Sequence, residues 1–338
     1  MSELSRDRAW CEAMLPRVSR TFVLNIRLLA RPLRDAVGVG YLMCRTADTI
    51  EDAWPGTAAE IEERFGLLLG AVAGDAAAAG ALAAAAAARA DGGDEPGLVA
   101  GFPRLWRAWR SLPAADREAI AACLRTMAPG MCRYAARAAA RPAGGPYLDD
   151  ETELHDYCHV VAGCVGVMLT RLTGPVLGGH AADLARRLEL APVVGEALQL
   201  TNILLDWPDD VPNGRCYVPA DWLAAEGLVP AQLAGRAGPA VDRLSWRLES
   251  LARAALARVP DYLDLVPPRA VRYRLFVLLP ALWALASLEH ARRDPGFPHG
   301  RRPRLPRARL WREAAGGLLG HRGAAPARLR AAVAAPGA

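Results

Sequence analysis

The stretch Arg45-Thr46-Ala47-Asp48-Thr49-Ile50-Glu51-Asp52 sets the reading of this chain. It carries three acids in five residues and follows an apolar run with helical spacing. Tyr41, Arg45, Asp48 and Asp52 stand at i, i+4, i+7 and i+11, which on a helix is one face. Carboxylates at Asp48 and Asp52 lie one turn apart and repel by about a few tenths of a kcal/mol. A bridging divalent cation removes that repulsion. Oxygen ligands suit Mg²⁺, which binds through one or two carboxylates and completes its shell with substrate phosphates. Alone, one D-x-x-x-D reads as a solvated acidic helix end, so the argument needs a second copy.

The second copy is Gln199-Leu200-Thr201-Asn202-Ile203-Leu204-Leu205-Asp206-Trp207-Pro208-Asp209-Asp210. Gln199, Asn202, Asp206 and Asp210 again share one face, and this motif also ends a long apolar helix. Gln and Asn on such a stripe are costly in a core but useful in a polar, metal-lined cavity. Two carboxylate pairs facing each other in an apolar helical barrel predict one chemistry above others. Each pair holds Mg²⁺, the metal grips a diphosphate and makes it a leaving group, and apolar walls keep water from the resulting carbocation. The candidate metal ligands are Asp48, Glu51, Asp52, Asp206 and Asp210. Arg20, Arg45 and Arg215 are the candidate diphosphate clamps.

Composition supports a helical protein. The chain has 338 residues, 52% of them hydrophobic, and no Lys; all 41 fixed cations are Arg. Ala, Leu and Arg dominate and β-branched residues are sparse, which favours helix over sheet. The net charge of +5 is mild for this length. It fits a small anionic substrate or an acidic membrane surface and argues against nucleic acid. The richest basic stretch, Arg301 to Arg309, has no aromatic interleaving for base stacking. The seven cysteines are scattered without a C-x-x-C, which predicts free thiols in a reducing cytoplasm. The charged N-terminus does not resemble an export signal. The longest apolar run, Leu275 to Leu288, is interrupted by Pro280 and falls short of the ~20 residues that span a bilayer, so no transmembrane helix is expected.

Helical patterns cover most of the chain: residues 10–26, 33–52, 59–72, 98–112, 114–140, 149–172, 181–207, 220–225, 239–258, 268–294 and 309–316. Residues 73–95 are Ala-rich and then loop-like, and Pro129-Gly130 predicts a bend. No stretch alternates with period two. The expectation is one all-α domain over residues 1–320 with a flexible Ala/Pro/Gly-rich tail at 321–338.

Several motifs in order resemble one family, the squalene and phytoene synthases, which are head-to-head prenyltransferases of the isoprenoid synthase fold. Ser19-Arg20-Thr21-Phe22 looks like its N-terminal diphosphate-contacting segment. Arg45 to Asp52 looks like its first aspartate-rich motif. Tyr157-Cys-His-Val-Val161-Ala-Gly163 with Val165-Gly166 looks like its central helix motif. Gln199 to Asp210, followed by Gly214-Arg215-x-Tyr217-x-Pro219, looks like the second motif and its flap. Arg304-Leu-Pro-Arg307 weakly resembles a short basic C-terminal motif.

The resemblance implies a single helical bundle around a central apolar cavity. It implies Mg²⁺-assisted ionisation of one prenyl diphosphate and attack by the double bond of a second. A cyclopropylcarbinyl diphosphate then rearranges to a C30 or C40 chain, with NADPH as reductant in the squalene branch. Tyr157 is the candidate proton acceptor; Ser19, Arg20, Phe22, Tyr41, Arg45, Val161, Gln199, Asn202, Arg215 and Tyr217 are the candidate substrate contacts. His159, two residues on from Tyr157, points away from it on a helix and is read as structural or supporting. Tyr157-Cys-His looks closer to the squalene branch, so two farnesyl diphosphates are the expected substrates. A lipophilic product makes peripheral membrane contact plausible for a cytoplasmic enzyme.

Two departures shape the alternatives. The family usually has Arg before the first Asp of the second motif, where this chain has Leu205. Pro208 sits inside that motif, at a cost of ~3 kcal/mol in a helix interior. It predicts that the helix bends or ends at Trp207, displacing Asp210 and letting Asp209 share its role. A weakened second diphosphate site would suit transfer of one prenyl group to a non-isoprenoid, for example aromatic, acceptor. Dehydrosqualene or phytoene synthesis is a further alternative. A non-catalytic lipid-binding protein is the reading from a different class.

Overall fold

The computed structural model describes residues 2–19, 22–88, 92–141, 145–178, 180–233, 238–298 and 300–334. Among them every regular element is helical. In chain order these are α1 (Glu3–Val18), α2 (Phe22–Leu28), α3 (Leu33–Asp52), α4 (Ala58–Val72), α5 (Ala76–Ala87), α6 (Asp94–Ala100), α7 (Phe102–Arg110) and α8 (Ala114–Ala140). Then come α9 (Glu151–Cys158), a π-helical turn (His159–Gly163), α10 (Cys164–Leu177), α11 (Ala181–Asp210), α12 (Ala220–Ala225), α13 (Pro239–Leu256), α14 (Val259–Asp264), α15 (Val271–Ala291), α16 (Arg307–Gly320) and α17 (Ala324–Arg330). The chain forms two compact units, residues 1–140 with 167–178, and residues 141–166 with 179–338.

The first unit is built on α3, which packs against α1, α4, α7 and α8. Its buried stripe is Met43, Ala47 and Ile50, at i, i+4 and i+7, all fully buried. Burying each large side chain contributes roughly 1.5–3 kcal/mol. The opposite stripe is the polar one that begins at Tyr41. Helix α3 starts at Leu33 and stops at Asp52, as its pattern predicts, and Trp54-Pro55-Gly56 follows.

The second unit is built on α11, which packs against α13, α14, α15 and the π-helical turn. Ala197, Leu200, Leu204 and Trp207 form its buried stripe. The approach to the π turn is at backbone contact distance. A Cβ on Gly195 would lie 2.1 Å from the carbonyl oxygen of Ala162, and one on Gly166 would lie 2.2 Å from that of Ala191. Only glycine fits there, which gives a packing reason for the glycines of the central motif.

Three expectations change, and α8 keeps its expected bounds. Helix α11 does not end at Trp207 but runs to Asp210. Pro208 falls in its last turn, where it forfeits only the bond to the Leu204 carbonyl, and the amide of Val211 still donates to Trp207 at 3.2 Å. Helix α8 runs through Pro129 as one element from Ala114 to Ala140. Within the expected tail, α17 is a helix that packs against α14, α15 and α16 and buries Ala325, Pro326 and Leu329, so apolar burial orders it. Finally, three helical stretches (Glu151–Leu177, Ala181–Asp210 and Val271–Ala291) are long and apolar enough to cross a membrane by length and composition. The apolar run from Leu275 to Leu288 is short because the charged Arg274 and Glu289 bound it, whereas the helix continues through both.

Candidate functional site

The candidate site of the first unit lies on the polar stripe of α3, on Ser19 and on the start of α2. Ser19 caps α1, and its hydroxyl accepts from the Phe22 amide at 3.2 Å. The Phe22 ring stacks on Tyr41 with centroids 5.3 Å apart. Tyr41 is hydrogen-bonded to Ser19, and its hydroxyl is pushed up chiefly by desolvation. One turn on, the Arg45 guanidinium reaches Asp48 at 3.6 Å and pairs with Glu95 from α6. Tyr41, Arg45 and Asp48 share the α3 face that their spacing predicts, and Ser19 and Phe22, named from the resemblance, lie against Tyr41. Arg20 lies outside the described residues.

Asp48 is pushed up to about 7, first by desolvation and then by the charges of Asp52 and Glu95, against the pull of Arg45. Its side chain still keeps 31% of its surface. Dense protein around a carboxylate that remains reachable describes the wall of a concave site. Glu51 is half-buried and Asp52 exposed at the helix end.

The candidate site of the second unit lies on α11 and the loop after it. Asp206 and Asp210 are half-buried on one face, Gln199 is half-buried, and Asn202 is exposed. Asp210 forms an ion pair with Arg215 at 2.9 Å, so the continuing helix keeps it in register. Asp209 is exposed beside them, and the in-register Asp210 removes the need for it to substitute. The Arg302 guanidinium lies 2.5 Å from Asp206, beside the carboxylate without a well-aligned N–H, so the contact is an ion pair. Desolvation, Asp210 and Asp209 nevertheless push Asp206 up to about 6, against the opposing pull of Arg302. Leu205 is buried, and the cation missing at that position is supplied to the same motif by Arg302.

The central motif packs against the same helix. Tyr157 is buried and stacks on Tyr217 at 5.0 Å, which meets Tyr147 edge-on at 5.0 Å. Val161 is half-buried in the π turn. His159 sits 3.4 Å from Glu196 of α11, which fits the supporting role expected of it.

Both acidic motifs end their helices, and neither helix has a basic residue in its last turn. Carboxylates at the negative end of a helix dipole are unfavourable by about 0.3–1 kcal/mol each. With the raised Asp48 and Asp206, this leaves negative charge that the protein only partly compensates. All the donors are carboxylate oxygens, which fits a hard divalent cation such as Mg²⁺. Among the described residues no three His, Cys, Asp or Glu side chains converge as a ready ligand set. The fit is to Mg²⁺ held by one or two carboxylates and completed by phosphate and water, not to a closed protein cage.

Glu95, Glu196 and Arg302 escaped the sequence reading. Each meets its partner through tertiary packing; only the basic character of residues 301–309 hinted at the third.

The fold is of the isoprenoid synthase type. TcSQS bound to a ligand superposes with a TM-score of 0.76 at 23% identity, covering 96% of this chain and 89% of that one. A ligand-bound dehydrosqualene synthase superposes with a TM-score of 0.67 at 21% identity, covering 93% and 95%. The squalene/phytoene synthase family model matches residues 15–309, and the chain belongs to that family. A phytoene synthase of Thermus thermophilus is 38% identical over 168 residues, which is 48% of this chain and 55% of that protein. Squalene synthase 3 of Panax ginseng is 29% identical over 289 residues, 83% of this chain and 63% of that protein. The chain thus spans little more than half to just under two thirds of these relatives' lengths.

Proposed function

We propose that this chain is a Mg²⁺-dependent prenyltransferase that condenses two farnesyl diphosphates head to head, through a cyclopropylcarbinyl diphosphate, toward squalene. The observation that carries the reading is the pair of aspartate motifs. Each ends a helix with under-compensated carboxylates beside at least one guanidinium, in a chain of the squalene/phytoene synthase family. Asp48 and Asp52, with Glu51 beside them, would hold Mg²⁺ in the first unit, and Asp206 and Asp210 in the second. Bound there, Mg²⁺ would neutralise a diphosphate and make it a leaving group.

The chain's own groups supply the rest. Arg45, Arg215 and Arg302 each lie on a motif carboxylate and can swing to a diphosphate oxygen, exchanging one charge-assisted contact for another. Phe22 and Tyr41 in the first unit, and Tyr157 and Tyr217 in the second, are stacked pairs that would each offer aromatic faces to a developing allylic cation. The Tyr157 hydroxyl would take the proton lost when the cyclopropane closes. We also propose that the enzyme works in the cytoplasm at a membrane surface. All seven cysteines are free and the product is a hydrocarbon, both of which support this.

The test is product analysis after incubation with farnesyl diphosphate, Mg²⁺ and NADPH. A C30 hydrocarbon is the expected result, and a saturated central bond only with NADPH would assign the reductant. No C30 product from folded protein would overturn the proposal. The 38% identity to a phytoene synthase favours a second reading, a C40 product from C20 diphosphate without reductant, which the same assay separates. Transfer to an aromatic acceptor rested on Leu205 and Pro208; Arg302 beside Asp206 and the continuation of α11 to Asp210 make it the weaker reading.

A further inference from the structure

The first unit contains a cavity of about 260 Å³ that the aspartate motif does not use. It lies between α1, α2, the start of α3 and the end of α7. Gly38 of α3 lines it, ten residues before Asp48; that is ~15 Å along the helix and about a quarter turn around it. Its floor is apolar: Cys11, Leu15, Val23, Ile26, Val39 and Leu112, all buried. Its rim is cationic, with Arg8, Arg27, Arg31 and Arg34 against Glu12 and Asp35.

The rim charges are not equally committed. Arg31 pairs with Glu12, and with Asp35 at 3.3 Å, so both carboxylates are engaged by one guanidinium. Arg34 donates to the carbonyls of Leu29 at 2.8 Å and Arg27 at 2.9 Å, which fixes the end of α2. Arg8 donates only to the Ser111 hydroxyl, at 3.0 Å. Among the described residues neither Arg8 nor Arg27 shows an ion pair. The mouth therefore holds a surplus of positive charge above a floor that offers water no partners. The space is roughly twenty times the ~10–15 Å³ that one water needs. Concave apolar walls with a few convergent polar groups are the usual form of a small-molecule site.

We propose that this cavity binds a single-chain amphiphile with an anionic head. The apolar chain lies on Leu15, Val23, Ile26, Val39 and Leu112, and a phosphate or carboxylate head meets Arg8 and Arg27. Arginine suits either head because its planar fork matches both oxyanions. The site stands independently of the proposed reaction, since none of these residues belongs to the motifs.

The test is calorimetric titration of the full chain, without divalent cation, with dodecyl phosphate, dodecanoate and uncharged dodecyl maltoside below its micelle threshold. One anionic probe is expected to bind one to one; whether the phosphate or the carboxylate binds more tightly identifies the head. The Arg8→Gln/Arg27→Gln double variant is expected to weaken binding at least tenfold. Leu112→Trp, or Val23→Trp should the first fail to fold, is expected to abolish it with circular dichroism unchanged. Equal binding of the uncharged probe would overturn the proposal. So would binding that survives both a folded cavity-filling variant and the arginine variant.

Discussion

Asp48 concentrates the chemistry of the first motif in one carboxyl group. Its pKa is raised from 3.8 to about 7, so the unfolded chain loses this proton near pH 4 while the fold keeps it to about pH 7. Between those values the folded state binds more protons, and stability falls as pH rises. The metal-free protein is therefore expected to melt at a higher temperature at pH 5 than at pH 7.5, with added Mg²⁺ narrowing the difference. Asp48→Asn is expected to raise the metal-free Tm at pH 7.5 by about 2–4 °C, as a gain of ~1 kcal/mol does. The same substitution is expected to lower kcat by roughly 10²–10³, the scale of losing one electrostatic stabiliser. Differential scanning fluorimetry and steady-state kinetics check both parts. For Arg302→Gln, KM for the prenyl diphosphate is expected to rise about tenfold or more, because hydrogen bonds to charged groups contribute ~1.5–3 kcal/mol.

Among the elements, α11 best separates local pattern from packing. Its polar stripe was legible because residues three and four apart share a face whatever surrounds the helix. Its end was not. Proline is forbidding in a helix interior but costs little in a last turn that has few bonds left to lose, and the two cases look alike in sequence. Pro208→Ala is accordingly expected to leave KM unchanged within about twofold, since Asp210 is already in register with Arg215. The glycines give the opposite case. Gly195→Ala would place a Cβ 2.1 Å from a backbone oxygen. It is expected to cost about 1–3 kcal/mol or more, the range of overpacked cores, seen as a lower Tm in thermal unfolding. Ala162-Gly163 and Gly166 could be quoted as a motif, but their reason is the approach of a second helix.

For the molecule as a whole, membership of the squalene/phytoene synthase family supports the proposed head-to-head condensation, whose product length would depend on the walls around the hydrocarbon chain. Chain length is expected to follow those walls: incubation with C10, C15 and C20 diphosphates should give one dominant product, checked by gas chromatography. The three long apolar helices make membrane association measurable by co-sedimentation with lipid vesicles, where retention in the pellet is the outcome expected of a membrane-peripheral enzyme.

The sequence by itself determined the helical class, the two acidic faces and the residue types available to hold Mg²⁺ and diphosphate. These are consequences of spacing within one helix, where the 3.6-residue period acts over a few residues. Tertiary structure alone decided that Arg302 meets Asp206, that Glu95 meets Arg45, that Tyr157 stacks on Tyr217, and that a cation-rimmed cavity opens beside α3. Those relations join segments far apart in the chain. They arise because apolar burial brings helices together, and polar groups then take the partners that burial leaves within reach.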